Sequence, residues 1–211
     1  MASSDRAHLA DVLLAADPQA PTLDEGWTVR DLAVHLVLRE ARADAALGVA
    51  LGPRLPALAE RAAQLQAELA SLPYDELVER FRSGPSRLSP FALPGAEAAA
   101  NAVEFWVHAQ DVVRARPGWQ PEPLRPGQCE ALWRSLRRTA RLLYRRCPVG
   151  VVLVVPAGPR TVARRGEQSV VLTGRAEELL LHAFGRTSVA QVQVSGPEAA
   201  VAALAGTPLG V

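Results

Sequence analysis

The 211-residue chain has no lysine, a single methionine, two cysteines and only 5% aromatic residues. Each shortage excludes something. All 23 basic residues are arginine, beside abundant alanine, leucine and proline, so the basic content reads as the bias of a high-G+C genome rather than as a function. The 22 acidic residues nearly cancel it, and the formal charge of +1 leaves no strong overall field to draw in nucleic acid or an anionic lipid surface. Cys129 and Cys147 fall at opposite ends of what reads as one helix. At about 1.5 Å of rise per residue they lie roughly 27 Å apart, too far for a disulfide. Without CxxC spacing they read as two reduced, mostly buried thiols. The longest apolar run, near Val149 to Val155, is far too short to span a bilayer. The amino-terminal stretch, with Asp5 and Arg6, lacks the basic region, apolar core and cleavage site of a secretory signal. A cytoplasmic protein without a membrane partner is expected.

With 49% hydrophobic residues the chain can bury a core without staples. Helical periodicity covers Ser4 to Ala16, Thr28 to about Leu47, Pro56 to Leu72, Tyr74 to Arg82, Ala96 to Ala115, and a long basic helix to about Arg146. Thr28 with Asp31 three positions on forms a variant of the capping box. Gly84 to Gly95, rich in proline and glycine, cannot be regular structure. After Pro148 the pattern changes. Val149 to Val155, Arg160 to Arg164, Gln168 to Thr173 and Ala190 to Val194 read as short strands, interleaved with helices Ala176 to Phe184 and Glu198 to Leu204. The expected class is α+β: a helical bundle over 1–148 and a small α/β domain over 149–211.

Two of the predicted helices share a design. At 100° per residue, Glu97, Asn101, Glu104, His108 and Asp111 fall within about 80° of one another, while, apart from Gln110 and Arg114, the rest of the surface is apolar: Ala98, Ala99, Ala102, Val103, Phe105, Trp106, Val107, Val112 and Val113. On the Thr28 helix, Asp31, His35, Arg39 and Arg42 form one polar strip among apolar residues. A narrow solvated edge, or a hydrogen-bonded core histidine, is the bland account of each strip. An enclosed polar site is the other. Glu104 and His108 sit one turn apart and can clip a metal; one more imidazole, from His35, completes a two-histidine, one-carboxylate set with coordination positions left open. Asp31, Asn101 and Asp111 are candidate outer partners that fix the imidazole tautomers, Asp31 serving equally as an N-terminal helix charge. Trp106 lies opposite the stripe and needs a cover, for which the carboxy-terminal unit or a second copy of the chain, as a homodimer, would serve.

The segment Gly26-Trp27-Thr28-Val29-Arg30-Asp31-Leu32-Ala33-Val34-His35-Leu36, followed by Asn101-Ala102-Val103-Glu104-Phe105-Trp106-Val107-His108 and then Asp111, resembles the mycothiol-dependent maleylpyruvate isomerase family within the DinB-like metal-binding superfamily. The resemblance implies an amino-terminal DinB-like four-helix bundle, a smaller carboxy-terminal α/β domain, and a divalent metal on His35, Glu104 and His108. Zinc comes first, with nickel or iron as alternatives. It further implies mycothiol or a similar thiol as co-substrate, a small-molecule electrophile as partner, and an arginine from the carboxy-terminal domain. Arg186 is the candidate among Arg160, Arg164, Arg165 and Arg175. The chain looks closest to a branch described only as metal-binding, in which His-His-Glu-Asp is expected where it has His108-Ala109-Gln110-Asp111.

The functional expectation is therefore a thiol-dependent transferase or isomerase. Its rivals are a metal-dependent hydrolase on the same ligands and a non-catalytic, metal-stabilised binding or stress-response module. Nucleic-acid binding through Arg134, Arg137, Arg138, Arg141, Arg145 and Arg146 is not expected, because Trp133, Leu136, Leu142 and Leu143 alternate with these arginines as in an ordinary amphipathic helix.

Overall fold

The computed structural model describes residues 2–41, 56–84 and 96–210. It divides into two compact units, Met1–Gln120 and Pro121–Val211. The first is helical: α1 (Ala2–Leu14), α2 (Val29–Ala41), α3 (Pro56–Ser71), α4 (Tyr74–Ser83) and α5 (Ala96–Val113). Helix α1 packs on α5 and α4, and α2 packs on α3 and α4. The core draws Leu9 and Leu13 from α1, Leu32, Ala33, Leu36 and Val37 from α2, Leu69 from α3, Leu77 and Phe81 from α4, and Phe105, Ala109 and Val112 from α5. Each fully buried leucine, valine or phenylalanine contributes about 1.5–3 kcal/mol, so these faces set the azimuth of every helix. Phe81 meets Phe105 edge-on at 5.3 Å, and the Arg6 guanidinium lies 5.0 and 4.9 Å from the two ring centres. The residues expected to extend α2 to Leu47, and most of the Gly84 to Gly95 break, lie outside the described residues.

The second unit holds α6 (Gln128–Leu143), β1 (Gly150–Val154), β2 (Arg160–Arg164), β3 (Ser169–Thr173), α7 (Ala176–Ala183), β4 (Gln193–Ser195) and α8 (Glu198–Ala205). Its sheet runs β2-β1-β3-β4, with β1 and β3 parallel and the other pairs antiparallel. The register sets Val151 beside Val170 and Leu153 beside Leu172, and all four are buried. Helix α6 packs on α7 and β2, using Leu132, Trp133, Leu136, Ala140 and Leu143. Packing thus divides the chain earlier than the change of periodicity near Pro148, because α6 shares its apolar face with the α/β layer.

The fourth strand begins at Gln193 rather than Ala190. The Ala190 N–H donates back to the Arg186 carbonyl (3.0 Å) and the Gln191 N–H to Glu178 Oε2 (2.8 Å), so neither is available for the ladder. Both cysteines are free, but only Cys147 is buried. Cys129 shares the α6 stripe with Trp133, yet it falls in the first turn, where the stripe opens onto a cleft of about 440 Å³ lined by Pro121, Val155 and Ala176. Among the described residues no helix is long and apolar enough to cross a membrane.

Candidate metal centre

Helix α2 is started by the capping box expected from Thr28 and Asp31. Asp31 Oδ2 accepts from the Thr28 N–H (2.9 Å) and hydroxyl (2.6 Å), while the Asp31 N–H donates to Thr28 Oγ1 (3.2 Å). These bonds hold the Asp31 carboxyl below its ordinary range. The carboxylate is exposed and committed to the helix start. With α2 locked by its apolar face, His35 projects toward α5.

Along α5 the polar stripe deepens. Glu104 is 25% exposed, His108 12% and Asp111 fully buried. The polar stripe is thus partly enclosed, deepest at Asp111 and more open at Glu104. His35, Glu104 and His108 each bring one ligand atom to within 4.8 Å of the others. The two imidazoles stand 5.8 Å apart, centre to centre, at a steep angle. Metal bonds of about 2.1 Å in tetrahedral array place ligand atoms roughly 3.4 Å apart, so small side-chain rotations would close the set. Glu104 Oε1 already lies 3.8 Å from His108 Nε2. Two imidazoles and one carboxylate suit a borderline dication such as zinc, nickel or iron.

The other nitrogen of His108 has its own partner. Nδ1 lies 3.0 Å from Asp111 Oδ2, and because a carboxylate only accepts, one ring proton sits on Nδ1, so that Nε2, on the side of Glu104 and His35, is the nitrogen that would take a metal in exchange for its own proton. Burial alone would depress the His108 pKa, but the bonds to Asp111 and Glu104 outweigh it and raise the group to about 9. His35 shifts the other way, lowered first by burial and then by the neighbouring His108 charge.

The connection between α1 and α2 braces both rings. The Trp27 N–H donates to the Asp24 carbonyl (3.0 Å) around a turn in which Gly26 takes φ 79°, a conformation glycine adopts without strain. The Leu23 N–H donates to the Asp111 carbonyl (3.1 Å), pinning this loop to α5. Trp27 then packs against His35 at 5.0 Å, and Asp24 Oδ2 comes within 3.9 Å of His108 Nδ1. Asp24, His108 and Asp111 form a second close group around the outer face of that imidazole. Asp24 is invisible to periodicity because it stands in a turn.

Arg39, one turn beyond His35, forms an ion pair with Glu104 Oε2 and donates from Nη1 to Asn101 Oδ1 (3.2 Å). Asn101 therefore reaches the site through Arg39 rather than through an imidazole. Arg186 lies in the second unit, just after α7, where its guanidinium donates to the Phe184 carbonyl (2.8 Å). Trp106 is buried, only 5% exposed.

Residues 2–89 match the family model described as the mycothiol maleylpyruvate isomerase N-terminal domain. That span includes Trp27 and His35 but ends before Glu104 and His108. No curated protein matches the chain. Two solved structures are similar, the mycothiol-dependent maleylpyruvate isomerase and a histidine-to-alanine mutant of it. Each is 21% identical, with a TM-score of 0.60 over 92% of this chain and 90% of the other. Residues 2–89 thus match the amino-terminal domain of the mycothiol maleylpyruvate isomerase family, and the chain is similar in fold to the mycothiol-dependent enzyme.

Proposed function

We propose that this protein binds one divalent metal through His35, Glu104 and His108 and acts as a mycothiol-type, thiol-dependent isomerase or transferase on a small electrophile. The observation that carries the reading is the convergence of those three ligand atoms within 4.8 Å, from two helices far apart in sequence, in a chain bearing the family's domain. A bound dication would supply Lewis-acid activation, lowering the pKa of a thiol so that thiolate forms near neutral pH. The chain's own residues do the rest. Asp111 holds His108 in the tautomer that presents Nε2, and Trp27 limits rotation of His35. Burial lessens from Asp111 to Glu104, so the ligand set is reached more readily from the Glu104 end than from the Asp111 end. Arg186 is the candidate partner for an acidic substrate.

The test is turnover by metal-loaded protein with mycothiol, first on maleylpyruvate and then on a panel of epoxides, alkyl halides and unsaturated carbonyl compounds. Activity that requires the thiol, vanishes in His108→Ala and falls in Arg186→Ala supports the proposal. Absence of thiol-dependent turnover across the panel, with metal bound, overturns it and leaves the hydrolase or the non-catalytic module.

A further inference from the structure

At the open end of the site Glu104 serves two partners with its two oxygens. Oε1 faces His108 Nε2 at 3.8 Å, on the side of the three-ligand set, whereas Oε2 carries the ion pair to Arg39. The guanidinium is forked, its second terminal nitrogen donating to Asn101 Oδ1 at 3.2 Å, so its plane is held at two points on α5. Arg39 keeps 32% of its side chain exposed, and its remaining N–H groups have no partner among the described residues. It stands one turn from His35 and directly on Glu104.

We infer that Arg39 is a positioning and specificity-determining residue: it ties up Oε2, so that Glu104 offers only Oε1 to a metal, and its remaining donors, without partners among the described residues, favour an anionic ligand over a neutral one beside Glu104. The inference rests on the metal reading above but concerns a different residue and a different readout. The N–H groups that remain on the anchored guanidinium can add charge-assisted hydrogen bonds to a carboxylate, from a plane whose fixed orientation a lysine ammonium cannot reproduce.

Cobalt(II) is the probe, because its visible spectrum reports coordination and its near-ultraviolet charge-transfer band reports an attached thiolate. Cobalt-loaded wild type, Arg39→Met and Arg39→Lys are titrated with 3-mercaptopropionate and with 2-mercaptoethanol, which carry a carboxylate and a hydroxyl, respectively, on the same two-carbon thiol. Wild type is expected to bind the acidic thiol about ten-fold more tightly. Arg39→Met should lose that preference with cobalt stoichiometry unchanged, and Arg39→Lys should retain part of it, which keeps the test open if the methionine variant misfolds. An undiminished preference in a folded, cobalt-loaded Arg39 variant, or none in wild type, overturns the inference alone. A wild type that takes up no cobalt overturns the metal reading and this inference with it.

Discussion

The metal-free protein should lose stability as pH rises through the range in which His108 titrates. The group sits at about 9 in the folded chain, against about 6.5 when unfolded, so the folded state binds the extra proton. Its contribution is therefore fully present below pH 6.5 and disappears as pH climbs through about 9. A difference of roughly two and a half units corresponds to about 3 kcal/mol for a side chain only 12% exposed. The perturbation is Asp111→Asn, nearly isosteric, which keeps an acceptor near Nδ1 but removes the charge 3.0 Å away. Burial then dominates, and the His108 pKa should drop by at least a unit. The assay is an NMR titration of the ring protons in chelator-treated protein, alongside urea midpoints between pH 6 and 9.5. Metal loading at pH 7 should also release about one proton, seen as a buffer-dependent heat in calorimetry. A wild-type His108 that titrates below 7, or an Asp111→Asn variant with an unchanged pKa, would refute the reasoning.

Other outcomes follow from single contacts. His182, buried and bonded through Nδ1 to the Tyr144 hydroxyl at 2.9 Å, is lowered by burial to about 4, so the second unit should lose up to about 3 kcal/mol as pH falls from 6.5 to 4; acid unfolding should show a histidine-dependent component, absent in a folded His182→Gln variant. Asp31→Ala removes the capping box and should cost about 1 kcal/mol in urea denaturation without altering metal stoichiometry. Iodoacetamide should label one thiol in the native chain and two in denaturant, Cys129 reacting first and only slowly at neutral pH, because burial and the Glu177 carboxylate raise its pKa.

What the sequence reveals of this molecule follows what repeats along it. Helical phase places Glu104, His108 and Asp111 on one stripe and His35 on another, and the Thr28–Asp31 pair marks where α2 begins; these are local properties of one element. Partner choice is not local. The α6 stripe of Leu132, Trp133, Leu136 and Ala140 reads the same whether it meets a bundle or a sheet, and only packing assigns it to the second unit. Likewise Arg39 is legible as a polar residue one turn from His35, but its pairing with Glu104 depends on how two helices meet. Asp24 and the contact of Trp27 with His35 depend on a turn whose path is set by the Leu23 bond to α5. Cys129 follows the apolar phase of its helix but lines an open cleft at the first turn, where it is exposed.

The most direct test of the central claim is metal content by mass spectrometry on untagged protein, beside a His35→Ala, Glu104→Ala, His108→Ala triple variant. The account predicts about one zinc, nickel or iron ion per chain in the wild type and none in a folded variant. Wild-type protein that takes up no metal, even after reconstitution with each of the three, would contradict it.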